Sequence, residues 1–350
     1  MISNKEDQRI CTRKYYIAYM DILGYKEYLK NRPEDSERYL HTILDAIENT
    51  KGSIQRFRKA KKVFHVQGEI QIKVFSDNIV VCLPVQSERN EIRKAILFLI
   101  TVASIQTALV LTHRLIVRGG ITVGELFINK DLVFGQGLVE AVALEEENEY
   151  PCISISSSFQ HHLRTMREDV KEAYQKLLSI IKKGGQELTQ KEQVFLKKNF
   201  AGIVRKQMNN ESIKELIIQF ENEPPFLNYL YDLSFTHLLS SELNQFAQKK
   251  AAMEPNSLKG IVTSVRNLPL IISTHKDVVE DKTWLYCNYD GINRSDKKAI
   301  ATHERVIRKY VWLLRYHNSV CGTKKYPQYL IKHKFGCDES SLRLIVNLQE

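Results

Sequence analysis

Residues Tyr15 to Lys26 read YYIAYMDILGYK, an apolar run that stops on a carboxylate. Ile17, Ala18, Tyr19 and Met20 suit a buried strand, and Asp21 followed by Ile22, Leu23 and Gly24 suits that strand's end and the start of a helix. A charge at such a junction is costly to bury unpaired, so a positive partner is expected beside it. The companion stretch is Ile70 to Leu83, IQIKVFSDNIVVCL. Its two apolar and β-branched runs, Ile70 to Phe75 and Ile79 to Leu83, flank Ser76, Asp77 and Asn78, which predicts a β-hairpin with Asp77 at its tip. If that hairpin pairs beside the first strand, Asp77 meets Asp21. Two carboxylates held close repel unless a divalent cation lies between them, and hard oxygen ligands suit Mg or Mn. The alternative is that Asp21 caps the following helix and Asp77 is an ordinary hairpin residue. Their joint position at strand ends favours a two-ion site of the kind used in phosphoryl transfer.

The composition is compatible with that chemistry. A chain of 350 residues with 43% hydrophobic content can bury a sizeable core, in one large domain or in one domain with an appendage. Six cysteines without CxxC spacing read as reduced, buried thiols of a cytosolic protein. The polar start MISNKEDQRICTRK lacks the apolar run of a signal peptide. The most apolar stretch, Ala95 to Val117, carries Ser104, Gln106, His113 and Arg114, which argues against a membrane span and for a soluble, cytoplasmic protein. A net charge of +10 raises nucleic acid as a partner, but the cations are scattered and no recognition motif accompanies them. A triphosphate substrate would benefit from the same field.

In chain order the pattern predicts helices over Tyr25 to Lys30, Glu34 to Ile54 (apolar face Leu40, Ile43, Leu44, Ile47) and Glu88 to Thr112. A strand over Leu115 to Leu126 is broken by Gly119 and Gly120, which marks a close approach of another segment. A short strand at Leu132 to Phe134, a helix at Leu138 to Glu147 and a strand at Cys152 to Ile155 follow. This order fits an α+β fold, a mostly antiparallel sheet covered by helices. Beyond Ser156 long polar helices are expected at Ser158 to Lys183, Thr189 to Met208, Ser212 to Phe220, Leu238 to Ala251, Ser257 to Leu268 and Ala299 to Tyr316, with Phe226 to Tyr231 a strand returning to the core. The division expected is a core over 1–165 and a mainly helical extension over 166–350. His161 and His162 are adjacent, so they point apart on a helix and do not make a joint metal site. Trp284 and Trp312 read as core or dimer contacts.

Four pieces, AYMDILGYK, IKVFSDNIVV, VRGGITVGEL and FGQGLVEAVALEEENEYPCISIS, occur in the order found in class III nucleotide cyclases. The sequence resembles most the bacterial pyrimidine cyclases of the Pycsar antiphage system, over roughly the first half of the chain, and the distal KYVWLLRYHN is also similar. The resemblance implies a ferredoxin-like cyclase core with a helical C-terminal elaboration. It implies attack of a ribose 3′-oxygen on the α-phosphate of the same nucleotide, with loss of diphosphate. Asp21 and Asp77 would hold two Mn or Mg ions together with the Ile22 carbonyl. The amides of Leu23, Gly24 and Tyr25 would meet the β- and γ-phosphates at a helix start.

Lys73 stands where purine cyclases carry a base-contacting residue, or is a solvent-facing lysine. Arg118 would steady the transferring phosphate, or would form a salt bridge to Glu125 or Glu140. The sequence departs from purine cyclases where they place an Asn and an Arg, because Glu140 and Leu144 occupy those positions. The base-selecting position falls near Asp131 or Leu132. Pyrimidine cyclases share these departures, which points to UTP or CTP, to cyclic UMP or cyclic CMP as product, to a homodimer with composite sites, and to a separate effector that reads the product. The rival expectation is a catalytically inactive cyclase fold that senses nucleotides or binds partners.

Overall fold

The computed structural model describes residues 11–25, 29–30, 33–60, 70–85, 91–166, 171–182, 188–230, 268–287, 296–323 and 326–331. The helices expected over Leu238 to Ala251 and over Ser257 to Leu268 lie outside these residues, apart from Leu268 itself.

The first strand, β1 (Arg13–Ile22), is the middle of the sheet. On one side it pairs antiparallel with β3 (Asn78–Pro84), which pairs antiparallel with the edge strand β2 (Gln71–Phe75). On the other side it pairs antiparallel with β4 (Val117–Ile128). A parallel pairing joins β4 to β6 (Ile153–Ile155), and β5 (Val133–Phe134) folds back on the far end of β4. Two short strands from the second half, β7 (Ile217–Ile218) and β8 (Phe226–Leu227), extend the sheet beyond β6 by antiparallel pairing. The sheet is therefore mostly antiparallel and does not stop at residue 165.

The continuous apolar run of β1 follows from burial on both faces. Tyr16, Ala18, Met20 and Ile22 point into the main core, whereas Tyr15 and Ile17 share a second core with Val80, Cys82, Leu126 and Ala141. Helices α1 (Ser36–Ala60), α2 (Glu91–His113) and α4 (Ser157–Met166) contribute to the main core. On α1 the buried face is Tyr39, Ile43, Ala46 and Ile47, and Leu40 and Leu44 are exposed, a correction to the expected stripe. Within α2 the stretch Ile92–Val110 is long and apolar enough to cross a membrane by length and composition, and 78% of its most apolar window is buried inside the molecule.

Helix α3 (Gln136–Glu147) covers the second face, and the glycines of β4 seat it. A Cβ at Gly120 would lie 2.6 Å from the Leu144 Cβ, and one at Gly124 would lie 2.8 Å from the Gly137 Cα. The close approach read from Gly119 and Gly120 is this helix together with β1. Farther along, α5 (Lys171–Lys182) and α6 (Gln190–Leu216) pack around a small core of their own. The expected break at Asn209 and Asn210 does not occur, because α6 runs through both and ends only where Ile217 joins the sheet. Of the helix expected over Ser158 to Lys183, α4 and α5 are seen, and residues 167–170 between them and Lys183 lie outside the described residues.

Two further helices, α7 (Leu268–Cys287) and α8 (Lys297–Thr323), complete the main core. Only α8 was expected from the pattern. Trp312 is fully buried there, whereas Trp284 is 59% exposed and is no core residue.

Candidate functional site

The C-terminal end of β1 lies between two chain segments that arrive from opposite sides. The Ile22 amide donates to the Asp77 carbonyl at 3.1 Å, and the Leu23 amide donates to the Ile116 carbonyl at 2.9 Å. Asp21 pairs across the sheet with Asn78 on one side and Arg118 on the other. Asp21, Asp77 and Arg118 thus meet at one end of the sheet, where the hairpin, the exit of β1 and the start of β4 converge. The hairpin closes through the two residues Ser76 and Asp77, with Ser76 at a φ of 58°. Asn78, expected in the turn, is the first residue of β3.

The carboxylate of Asp77 is placed by a short relay. The Tyr19 hydroxyl donates to Asn78 Oδ1 at 2.6 Å, which turns the Asn78 amide so that its Nδ2 faces Asp77 Oδ1 at 3.4 Å. Asp77 is only 4% exposed, and that long contact is the one hydrogen bond to its side chain among the described residues. A buried carboxylate with so little compensation is the kind of group that a cation would complete. Tyr19 registers the surrounding charge, since burial first, and then Asp21, Glu145, Asp77 and Glu146, push its phenol up to about 12. Asp21 shares the Tyr19 face of β1 by alternation, and the hydrogen bonds from Tyr19 to Asn78 and from Asn78 to Asp77 link Asp77 to it.

Arg118 stands across the sheet from Asp21, and it is already engaged. Its guanidinium forms an ion pair with Glu145 of α3 and donates to the Asn148 carbonyl at 3.1 Å. The partner is thus Glu145, where Glu125 or Glu140 had been expected. Asn148 is itself locked, donating from Nδ2 to the Cys152 carbonyl at 2.9 Å and accepting from the Tyr150 amide at 3.1 Å. From the outer side, Arg308 of α8 pairs with Glu149 at 3.4 Å, and Trp312 stacks on Tyr150 with ring centroids 5.8 Å apart. Lys309 of α8 is half-buried, and its pKa is lowered by that burial and by Arg118 and Arg305, against the opposing pull of Glu149 and Asp21.

The other expected positions divide. Of the three amides expected to meet phosphate, that of Leu23 is already donated to Ile116; Gly24 carries a φ of 81°, and Tyr25 begins a helical turn. Lys73 lies on the edge strand and donates to the Lys130 carbonyl at 2.6 Å, so it bridges to the β4–β5 turn. Glu140 accepts from the Ser158 hydroxyl at 2.9 Å, within a network with Thr122 and Ser156, and Leu144 packs over Gly120. Both substituted positions on α3 are thus occupied with holding the helix. His162 meets the Tyr16 hydroxyl at 3.0 Å while His161 is exposed, in keeping with their separate roles. Among the described residues no group of three or more His, Cys, Asp or Glu side chains is placed to hold an ion. A metal here would rest on Asp21 and Asp77 with backbone oxygen such as that of Ile22.

Sequence reasoning missed Tyr19, Asn78, Asn148 and Glu145. Only Asn78, adjacent to Asp77, carried a local signal.

No family model matches the chain, and no curated protein matches it. Among solved structures it is similar to the adenylyl cyclase CyaB from P. aeruginosa, at 17% identity and a TM-score of 0.32, covering 44% of this chain and 82% of that one. It is similar to an adenylate/guanylate cyclase/hydrolase from Silicibacter pomeroyi, at 17% identity and a TM-score of 0.28, covering 44% and 81%. A class III adenylyl cyclase-like ATP-binding protein from Pseudomonas aeruginosa matches at 11% identity and a TM-score of 0.31, covering 90% of this chain and 72% of that one.

Proposed function

We propose that the chain is a metal-dependent nucleotide cyclase that converts UTP or CTP to the cyclic monophosphate and diphosphate. The observation that carries the reading is Asp77, a buried carboxylate with a single 3.4 Å hydrogen bond among the described residues, set at the strand end beside Asp21. Such a pair suits Mn or Mg, and the relay from Tyr19 through Asn78 holds Asp77 in place for it. A bound divalent ion would favour ionisation of the ribose 3′-hydroxyl and offset charge on the polyphosphate. The chain's own part is positioning: Asp21 and Asp77 fix the nucleotide's charged end, and the turn at Gly24 and Tyr25 offers amides to phosphate oxygens. Arg118, anchored by Glu145, supplies a fixed positive charge beside Asp21.

The pyrimidine preference rests on the motif resemblance and on Glu140 and Leu144, which stand where purine cyclases carry Asn and Arg. The same resemblance supports a homodimer with composite sites and a product read by a separate effector in antiphage defence.

The test is incubation of the full chain with each of the four ribonucleoside triphosphates and Mn, with products separated by mass. A cyclic pyrimidine nucleotide that disappears in Asp21→Asn and Asp77→Asn is expected. No cyclic product from any nucleotide, with the protein folded, overturns the reading. Glu140 and Leu144, both absorbed in packing α3, favour one rival: an inactive cyclase fold that binds nucleotide without turnover.

A further inference from the structure

We propose that Trp312 of α8, acting through Tyr150, is a positioning residue for Arg118, so that the C-terminal helix sets the cation that stands beside Asp21. The inference rests on the nucleotide-cyclase reading above and extends it to the half of the chain that the motif resemblance largely leaves out.

Directly opposed residues of antiparallel strands carry their side chains on the same face, so Arg118 of β4 stands on the same face of the sheet as Asp21, its partner in β1. Its guanidinium has two holds, on two different segments: the Glu145 carboxylate in the last turn of α3, and the Asn148 carbonyl in the loop beyond it at 3.1 Å. A guanidinium gripped by one carboxylate can still swing about that contact. A second acceptor on a separate segment fixes its plane. The position of the Asn148 carbonyl therefore sets how Arg118 is presented.

That carbonyl is held from two sides. From within, Asn148 donates to the Cys152 carbonyl at 2.9 Å and accepts from the Tyr150 amide at 3.1 Å, and the Cys152 carbonyl also accepts from the Gly119 amide at 3.0 Å, next to Arg118 in β4. From outside, α8 meets the two residues after Asn148. Trp312 stacks on Tyr150 with ring centroids 5.8 Å and planes 13° apart, and Arg308 pairs with Glu149 at 3.4 Å. These outer contacts are unequal, since the side chains of Arg308 and Glu149 are 37% and 44% exposed and an ion pair so well wetted holds little. Trp312 is buried and is itself fixed: its Nε1 donates to Glu223 at 2.9 Å, Arg315 pairs with the same carboxylate at 2.7 Å, and Phe226 of β8 meets its ring edge-on at 5.0 Å. The stacked indole is thus the main outer hold, and it ties the Asn148 loop to the strands that the second half of the chain adds to the sheet. A cation that steadies a transferring phosphate acts through its placement, so loosening this hold slows the reaction more than it weakens binding.

The experiment compares the full chain with Tyr150→Leu, which removes the stacked ring, and with Tyr150→Phe, which keeps it, by steady-state kinetics on whichever triphosphate is cyclised. The Leu variant is expected to lower kcat about tenfold with KM changed by less than about twofold, and the Phe variant to stay within about twofold of wild type. Beside Arg118→Lys, the loss from Tyr150→Leu is expected to shrink to less than about twofold, because the ring acts only through the guanidinium. Trp312→Phe, a smaller ring on α8, is expected to lower kcat about threefold and to cause no further loss beside Tyr150→Leu. If Tyr150→Leu does not fold, Tyr150→Met takes its place. An unchanged kcat in the folded variant, a loss confined to KM, a loss undiminished beside Arg118→Lys, or additive losses from Trp312→Phe and Tyr150→Leu overturn the proposal. If no nucleotide is cyclised, the cyclase reading fails by itself, and urea unfolding decides the link from α8 to Arg118. The joint effect of Tyr150→Leu and Arg118→Met on the unfolding constant is then expected to differ from the product of their separate effects by at least about threefold; a plain product refutes the link.

Discussion

Replacing Asp77 by Asn should make the metal-free protein more stable and the metal-loaded protein less stable than wild type. Asn matches Asp in shape, and its Oδ1 can still accept from the Asn78 amide, so packing at this 4% exposed position is preserved while the charge is removed. Burial of an incompletely paired carboxylate and repulsion from Asp21 both oppose folding. Together they set an expected gain of about 1–3 kcal/mol on neutralisation. With an unfolding entropy of about 2.1 cal/mol/K per residue over 350 residues, that gain raises the melting midpoint by about 1–4 °C. Saturating Mn reverses the order: at a hundred times its dissociation constant an ion stabilises the native state by about 2.7 kcal/mol, an increment the Asn variant largely loses. The assay is thermal unfolding of both proteins in chelator and across a Mn titration at neutral pH. If Asp77→Asn is less stable than wild type in chelator, and both gain equally from Mn, the argument that Asp77 is a partly compensated cation ligand is refuted.

Acid should destabilise the fold through the buried pair His275 and His317, whose pKa values are lowered, first by burial; the neighbouring His317 adds to that effect on His275. The unfolded chain takes up protons near the ordinary value of about 6.5 while the native state does not. Stability is therefore held above that pH and lost as pH falls below it, at up to about 1.4 kcal/mol per pH unit for each histidine; urea midpoints measured from pH 8 to 5 check the slope, and a flat profile refutes it. Gly120→Ala should destabilise strongly, because the new Cβ meets the Leu144 Cβ at 2.6 Å and the Ala141 carbonyl as well. Leu144→Ala in the same chain should recover only part of the loss, since the carbonyl cannot move aside, and a double-mutant cycle by chemical unfolding reads that coupling. Trp312→Ala should cost about 3–5 kcal/mol, because the indole is 1% exposed, stacked on Tyr150 and Tyr316, and bonded to Glu223; denaturant midpoints test this.

The second half of the chain was less legible than the first for a physical reason. Strand and hairpin signals in β1 and β2–β3 are local, set by alternation, turn chemistry and an apolar run closed by Asp21. The α1 stripe was misread at Leu40 and Leu44 because a helix with apolar residues on several sides leaves the choice of buried face to its neighbours, which here take Tyr39 and Ala46. Asn209 and Asn210 looked like a stop, yet neither requires one, and α6 ends where Ile217 finds a strand to pair with. The two-residue strands β7 and β8 are too short to carry a period at all.

What the residues alone determined is the apolar strand that ends on Asp21 and the hairpin with Asp77 at its tip, since each depends on contacts between residues near in sequence or on a repeating pattern; that the two lie side by side is a tertiary result. Tertiary structure alone decided that Arg118 spends its charge on Glu145, that Tyr19 steers Asn78 towards Asp77, and that α8 holds the loop after α3 through Arg308 and Trp312. Those partners are remote along the chain, and no local rule of spacing links them. They meet because both faces of β1 must be covered, and the helices that cover the sheet carry their charged residues to its rim.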